Sequence, residues 1–137
     1  MNKRHRYAVN KLVRDRTVER LEKANCIVKY RIMDSKEYIN ELNKKLLEEA
    51  KEVIDATSTT ELISELADIL EVVHAIGAAH GVSLEDIEAK RRSAHDARGG
   101  FAAKIYSQYV ELDESVPQWE HYKDKPTKYP ELEIEEK

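Results

Sequence analysis

Residues 34–80 read DSKEYINELNKKLLEEAKEVIDATSTTELISELADILEVVHAIGAAH, and this stretch decides the fold. Asp34 followed three residues later by Glu37 forms a capping box, and Ser58 with Glu61 repeats it. Each box opens a run with helical periodicity, the first ending near Ala56 and the second near Ala79, where Gly81 suits a helix stop. On the first helix Ile39, Leu42, Leu46, Ala50, Val53 and Ile54 form one apolar stripe; on the second the stripe is Leu62, Leu66, Ile69, Val73 and Ile76. The link between them is only a few residues long, so the helices are expected to pack antiparallel.

Acidic residues flank both stripes. At about 100° per residue, Glu49 and Glu52 lie beside the first stripe, and Glu65 and Asp68 lie beside the second in the same rotational sense. Turning one helix over to make a hairpin brings both pairs to the same side. A hairpin centred near residues 58–59 sets Glu52 level with Glu65 and Glu49 level with Asp68. Glu48 points away from the stripe and is expected to face solvent. Four carboxylates converging on an apolar seam cannot all remain ionised without a counter-charge. A hard divalent cation supplies one, and Mg²⁺ suits oxygen ligands while leaving room for phosphate oxygens. The expected metal ligands are therefore Glu49, Glu52, Glu65 and Asp68, with Mg²⁺ as the cofactor and Mn²⁺ as a substitute.

Outward from the hairpin, residues 11–24 read as a first short helix ending near Asn25. Residues 27–33 alternate weakly, as a strand would. Ser83 caps a further helix over about 84–98, which Gly99-Gly100 closes. Residues 101–112 could be helix or strand, and from Asp113 the chain reads as an irregular, aromatic-bearing arm that packs on something, a neighbouring subunit being one option. The fold class is all-α, with short β pieces near 27–33 and 101–112. The domain is expected over 1–112, with 113–137 as its C-terminal arm.

Composition narrows the class. The chain has 137 residues, 41% of them hydrophobic and 36% charged, which suits one domain of amphipathic helices and excludes a disordered chain. A net charge of −4 gives no general drive toward nucleic acid or anionic membrane. Positive charge is nonetheless concentrated at Lys3, Arg4, Arg6, Lys11, Arg14 and Arg16. One cysteine, Cys26, and no long apolar run point to a soluble, cytoplasmic protein.

E-x-x-E at Glu49 and Glu52, then E-x-x-D at Glu65 and Asp68, resembles the MazG-like all-α NTP pyrophosphatases. Asn10-Lys11-Leu12-Val13-Arg14-Asp15 and Arg98-Gly99-Gly100-Phe101 resemble segments of the phosphoribosyl-ATP pyrophosphohydrolase-like branch. The similarity covers roughly residues 8–112. It implies a helical bundle that works as an oligomer, a homodimer or homotetramer. It also implies Mg²⁺-dependent cleavage of a nucleoside triphosphate between the α- and β-phosphates, giving a monophosphate and pyrophosphate, as in house-cleaning enzymes. One departure concerns the basic residue that usually precedes R-G-G-F: here Lys90, Arg91 and Arg92 are followed by Ser93-Ala94-His95-Asp96-Ala97.

Phosphoryl chemistry depends on positioning and charge neutralisation, so cations are needed at the phosphates. Lys11 and Arg14 are favoured by their motif, with Lys90, Arg91 and Arg98 also available. Asn10, Tyr7 and Phe101 are options for a base pocket. Glu52 is the expected general base on the attacking water. Two other readings compete. Glu71 with His74 makes an E-x-x-H of the kind found in di-iron bundles, but no second copy exists in the chain. A non-catalytic nucleotide-sensing or interaction module is the other, and it leaves the four matched acids unexplained.

Overall fold

A computed structural model describes residues 2–135. Among the described residues the helices are α1 (Thr17–Lys23), α2 (Ser35–Asp55), α3 (Thr59–Ala79), α4 (Leu84–Arg98) and α5 (Gln118–Lys123). The architecture is all-α, as expected. The chain forms two compact units, Met1–Arg98 and Gly99–Lys137.

In the first unit α2 and α3 form an antiparallel hairpin, and α4 packs against α3. Local chemistry sets the ends of these helices. The backbone N–H of Glu37 donates to Asp34 Oδ1 at 2.9 Å, and that of Glu61 donates to Ser58 Oγ at 3.1 Å. The reciprocal halves of the two boxes differ. The Glu61 carboxylate takes the N–H and hydroxyl of Thr57, whereas the Glu37 carboxylate is used by the guanidinium of Arg31. Helix α3 ends in a Schellman motif: Val82 N–H donates to the Gly77 carbonyl at 2.8 Å and Gly81 N–H to that of Ala78 at 3.1 Å. Gly81 adopts φ 71°, which glycine supplies without steric cost. Gly77 serves a different purpose, because a Cβ there would come within 3.0 Å of both Ile87 Cδ1 and the Val82 carbonyl. Its bare backbone lets the start of α4 close onto α3.

The hairpin seam is thin. Leu42 and Val72 are its buried apolar side chains among the described residues. Ile39, Leu46, Ala50, Val53, Ile69, Val73 and Ile76 are half-buried. Three expected stripe positions, Ile54, Leu62 and Leu66, lie exposed instead. They stand at the margin of a two-helix interface, which is too narrow to cover the whole apolar arc of either helix.

Several local expectations are corrected. The first helix is shorter than residues 11–24 and begins at Thr17; residues 2–16 are not helical. No strand occurs among the described residues, so residues 27–33 and 101–112 are irregular. The alternation at Val28, Tyr30 and Ile32 has no neighbouring strand to pair with, and Tyr30 and Ile32 are exposed.

The second unit contains α5 and a small aromatic cluster. His121 and Tyr122 meet edge-on at 5.1 Å, and Tyr122 and Tyr129 at 4.9 Å. The Lys123 ammonium lies 4.4 Å from the Trp119 ring centre. The stretch after Asp113 is therefore not wholly irregular. No helix among the described residues is long and apolar enough to cross a membrane.

Candidate metal centre

The hairpin brings the two acidic pairs to one edge of its seam. Glu49 is buried, with 5% of its surface exposed, about two turns after the buried Leu42 on α2. Glu65 and Asp68 are half-buried and Glu52 is exposed. One carboxylate oxygen from each of Glu49, Glu65 and Asp68 lies within 4.8 Å of the other two. Oε2 of Glu49 and Oε2 of Glu65 are shielded from solvent and have no hydrogen-bond partner. Glu52 is not part of that three-oxygen group, but its carboxyl disfavours ionisation of both Glu65 and Glu49.

Crowded acids hold their protons. The Glu65 carboxyl is pushed up to about 7, first by its hydrogen bond with Glu52 and next by desolvation. Glu49 is also raised, chiefly by burial and then by Glu52 and Asp68. This is the frustration expected where several carboxylates meet at an apolar edge.

Cations from the N-terminal segment lie against this edge. Arg14 Nη2 donates to Asp68 Oδ1 at 2.7 Å, and Lys11 Nζ donates to Glu48 Oε1 at 2.8 Å. Lys45 sits between Glu48 Oε2 at 3.6 Å and Glu49 Oε1 at 3.7 Å. Asn10, next to Lys11, takes a left-handed backbone with φ 48°, which Asn tolerates better than most residues.

The donor set suits a hard divalent cation. It is all oxygen, and two oxygens on one Mg²⁺ lie about 3–4 Å apart, so the group needs only a small contraction to close on an ion. The two unpartnered shielded oxygens are the groups such an ion would satisfy.

The phosphoribosyl-ATP pyrophosphohydrolase family model matches residues 12–95, more than half of the chain. The chain belongs to this family. It is thereby placed among the MazG-like all-α pyrophosphatases, hydrolases of phosphoric anhydrides that are typically metal-dependent. No curated protein and no solved structure matches the chain.

The matched phosphoribosyl-ATP pyrophosphohydrolase segment contains all four acids, Arg14 and Lys90, whereas Asn10, Lys11 and Arg98 lie outside it. Of the expected phosphate-binding cations, Lys11 and Arg14 are brought to the acidic edge. Asn10, Lys90 and Arg98 make no hydrogen bond or ion pair with the acids among the described residues. Arg91 is engaged by Glu88 through two hydrogen bonds, at 2.8 and 2.6 Å, so its fork is already filled within α4. Glu71 and His74 are exposed and do not join the three-oxygen group. Tyr7 and Phe101 are also exposed. The acids line neither of two shallow surface depressions, one on α4 at Ala89, Arg92, Ser93, Asp96 and Ala97 and the other at Glu131, Leu132, Glu133 and Ile134.

Glu48 is a correction. It is half-buried and paired with Lys11 rather than free in solvent. The Lys45 contacts were legible as i,i+3 and i,i+4 spacings to Glu48 and Glu49. The Lys11 contact spans 37 positions and has no local signal.

Proposed function

We propose that this protein is a Mg²⁺-dependent nucleoside triphosphate pyrophosphohydrolase that cleaves the α–β anhydride, releasing a monophosphate and pyrophosphate. The observation that carries this reading is the pair of shielded, unpartnered carboxylate oxygens on Glu49 and Glu65, grouped with an oxygen of Asp68. Family membership supplies the reaction class. Glu49, Glu65 and Asp68 would hold the ion, with Glu52 able to join from the same edge. When bound, Mg²⁺ contributes positive charge to the phosphate oxygens and acidifies water.

The remaining work falls to the chain's own groups. Glu52, exposed and on the same helix as Glu49, takes the proton of the attacking water on a carboxylate oxygen. Arg14 is within one side-chain movement of the same edge, and its planar fork matches two phosphate oxygens. Lys11 adds a point charge beside it. The test is turnover of NTPs and dNTPs with Mg²⁺, with Glu49→Gln and Asp68→Asn as controls. Retained activity in both variants would sink the assignment.

The functional unit on this reading is a homodimer or homotetramer. Leu47 and Ile54 lie exposed seven residues apart on α2, and Ile63, Leu66 and Leu70 lie exposed on α3 at spacings of three and four. In the hairpin register Leu47 is level with Leu70 and Ile54 with Ile63, so these residues make a continuous apolar strip. Such a strip on a thin two-helix seam suits a second copy of the hairpin, giving a four-helix bundle. Localisation in the cytoplasm and indifference to nucleic acid and membrane complete the reading.

A further inference from the structure

We propose that Glu48 is a positioning residue that holds the Lys11 ammonium at the rim of the acidic cluster, ready for a phosphate oxygen. The inference rests on the reading of Lys11 as a phosphate contact given above.

Three observations carry it. First, both oxygens of Glu48 face cations: Oε1 accepts from Lys11 Nζ at 2.8 Å, and Oε2 lies 3.6 Å from Lys45 Nζ. Neither belongs to the three-oxygen group of Glu49, Glu65 and Asp68, so the residue is spent on cations and is not part of the presumptive ligand set. Second, Glu48 immediately precedes Glu49 on α2, and the fields of Glu49 and Glu52 also reach the Lys11 ammonium. The anchored charge is therefore held where phosphate would approach the ligands. Third, Lys11 has no regular structure around it. It follows the left-handed Asn10 and precedes α1 by several residues, so no helix or sheet fixes its direction. A flexible lysine stem loses rotamer entropy when it binds a ligand, and a fixed acceptor reduces that loss before the ligand arrives. Lys45 has a second function here, as a counter-charge between Glu48 and Glu49 that eases their adjacency.

The test uses the full chain and two probes, Mg²⁺ alone and pyrophosphate with Mg²⁺, each titrated calorimetrically. Glu48→Gln keeps the size and removes the charge. The expected result is a pyrophosphate affinity lowered on the order of fivefold, with Mg²⁺ affinity unchanged. Lys11→Ala lowers pyrophosphate affinity by at least as much, and the double variant matches Lys11→Ala alone, because Glu48 acts only through Lys11. The charge swap Lys11→Glu with Glu48→Lys restores thermal stability without restoring affinity, which a purely structural ion pair would not do. Several results overturn the proposal: an unchanged Glu48→Gln beside a weakened Lys11→Ala, additive losses in the double variant, loss of Mg²⁺ binding in Glu48→Gln, or loss of its helicity. An unchanged Lys11→Ala removes the Lys11 reading itself. A wild-type protein that binds Mg²⁺ but not pyrophosphate removes both.

Discussion

Arg14 and Asp68, 54 positions apart, are joined by a hydrogen bond of 2.7 Å between Nη2 and Oδ1. The guanidinium supplies positive charge to an aspartate that shares its neighbourhood with the carboxyls of Glu49 and Glu65. Metal and arginine compete for Asp68 alone, and a phosphate can reward both at once.

A sign follows for Arg14→Ala. Without nucleotide, removing the competitor is expected to tighten Mg²⁺ binding slightly. With nucleotide, losing the phosphate contact is expected to lower kcat/KM about 10- to 100-fold. Calorimetry with Mg²⁺ and steady-state kinetics read the two halves. Arg14→Lys keeps charge without the fork and should recover only part of the kinetic loss.

Glu49→Gln removes a buried carboxyl that desolvation pushes above the ordinary carboxylate range. Turnover is expected to fall at least about 10²-fold, as when a preorganised charge is lost from a reaction centre. Helical circular dichroism and the thermal midpoint of the metal-free protein should be maintained or improved, since an ionisable group that burial disfavours is replaced by a neutral one of the same size. A collapse of helicity would make Glu49 a folding residue instead.

The pH dependence of the metal-free protein is set by Glu65, whose carboxyl is raised from the ordinary 4.5 to about 7. Across that window the native state keeps a proton that the unfolded chain has released. Stability therefore falls as pH rises from about 4.5 to about 7 and levels off above it. Mg²⁺ should reverse the trend, because binding displaces the proton and strengthens as pH rises. Thermal melts at stepped pH, with and without Mg²⁺, check both directions; Glu65→Gln should flatten the metal-free slope.

The exposed strip of Leu47, Ile54, Ile63, Leu66 and Leu70 yields a prediction about assembly. Leu70→Glu is expected to shift the protein from an oligomer to a monomer in sedimentation velocity, and activity should fall with it. The exposed Glu114 offers a control, since Glu114→Lys should leave the sedimentation coefficient unchanged. A wild type that sediments as a monomer would remove the assembly from the account.

The two long helices were legible because their ends are written locally. Asp34 and Ser58 both accept from the backbone three residues on, and Gly81 turns the chain where the periodicity stops. The side of the hairpin carrying Glu49, Glu65 and Asp68 followed from angle and register alone. Alternation at 27–33 misleads, because period-two patterning needs a partner strand and none occurs among the described residues. The exposure of Ile54 and Leu66 was hidden for a different reason: a helical wheel shows which arc is apolar but not how much of it one neighbour can cover. The helical wheel points Glu48 to solvent because its partner, Lys11, comes from a non-helical segment that leaves no periodic trace. Glu52 stays outside the oxygen group of Glu49, Glu65 and Asp68, although its charge acts on Glu49 and Glu65.

The most direct measurement is a panel of NTPs and dNTPs incubated with the protein and Mg²⁺, with pyrophosphate and orthophosphate quantified separately. Stoichiometric pyrophosphate and nucleoside monophosphate are expected from at least one member, with the signal lost in EDTA and in Glu49→Gln. Orthophosphate as the released product, or nucleotide binding without any hydrolysis, would contradict cleavage at the α–β anhydride.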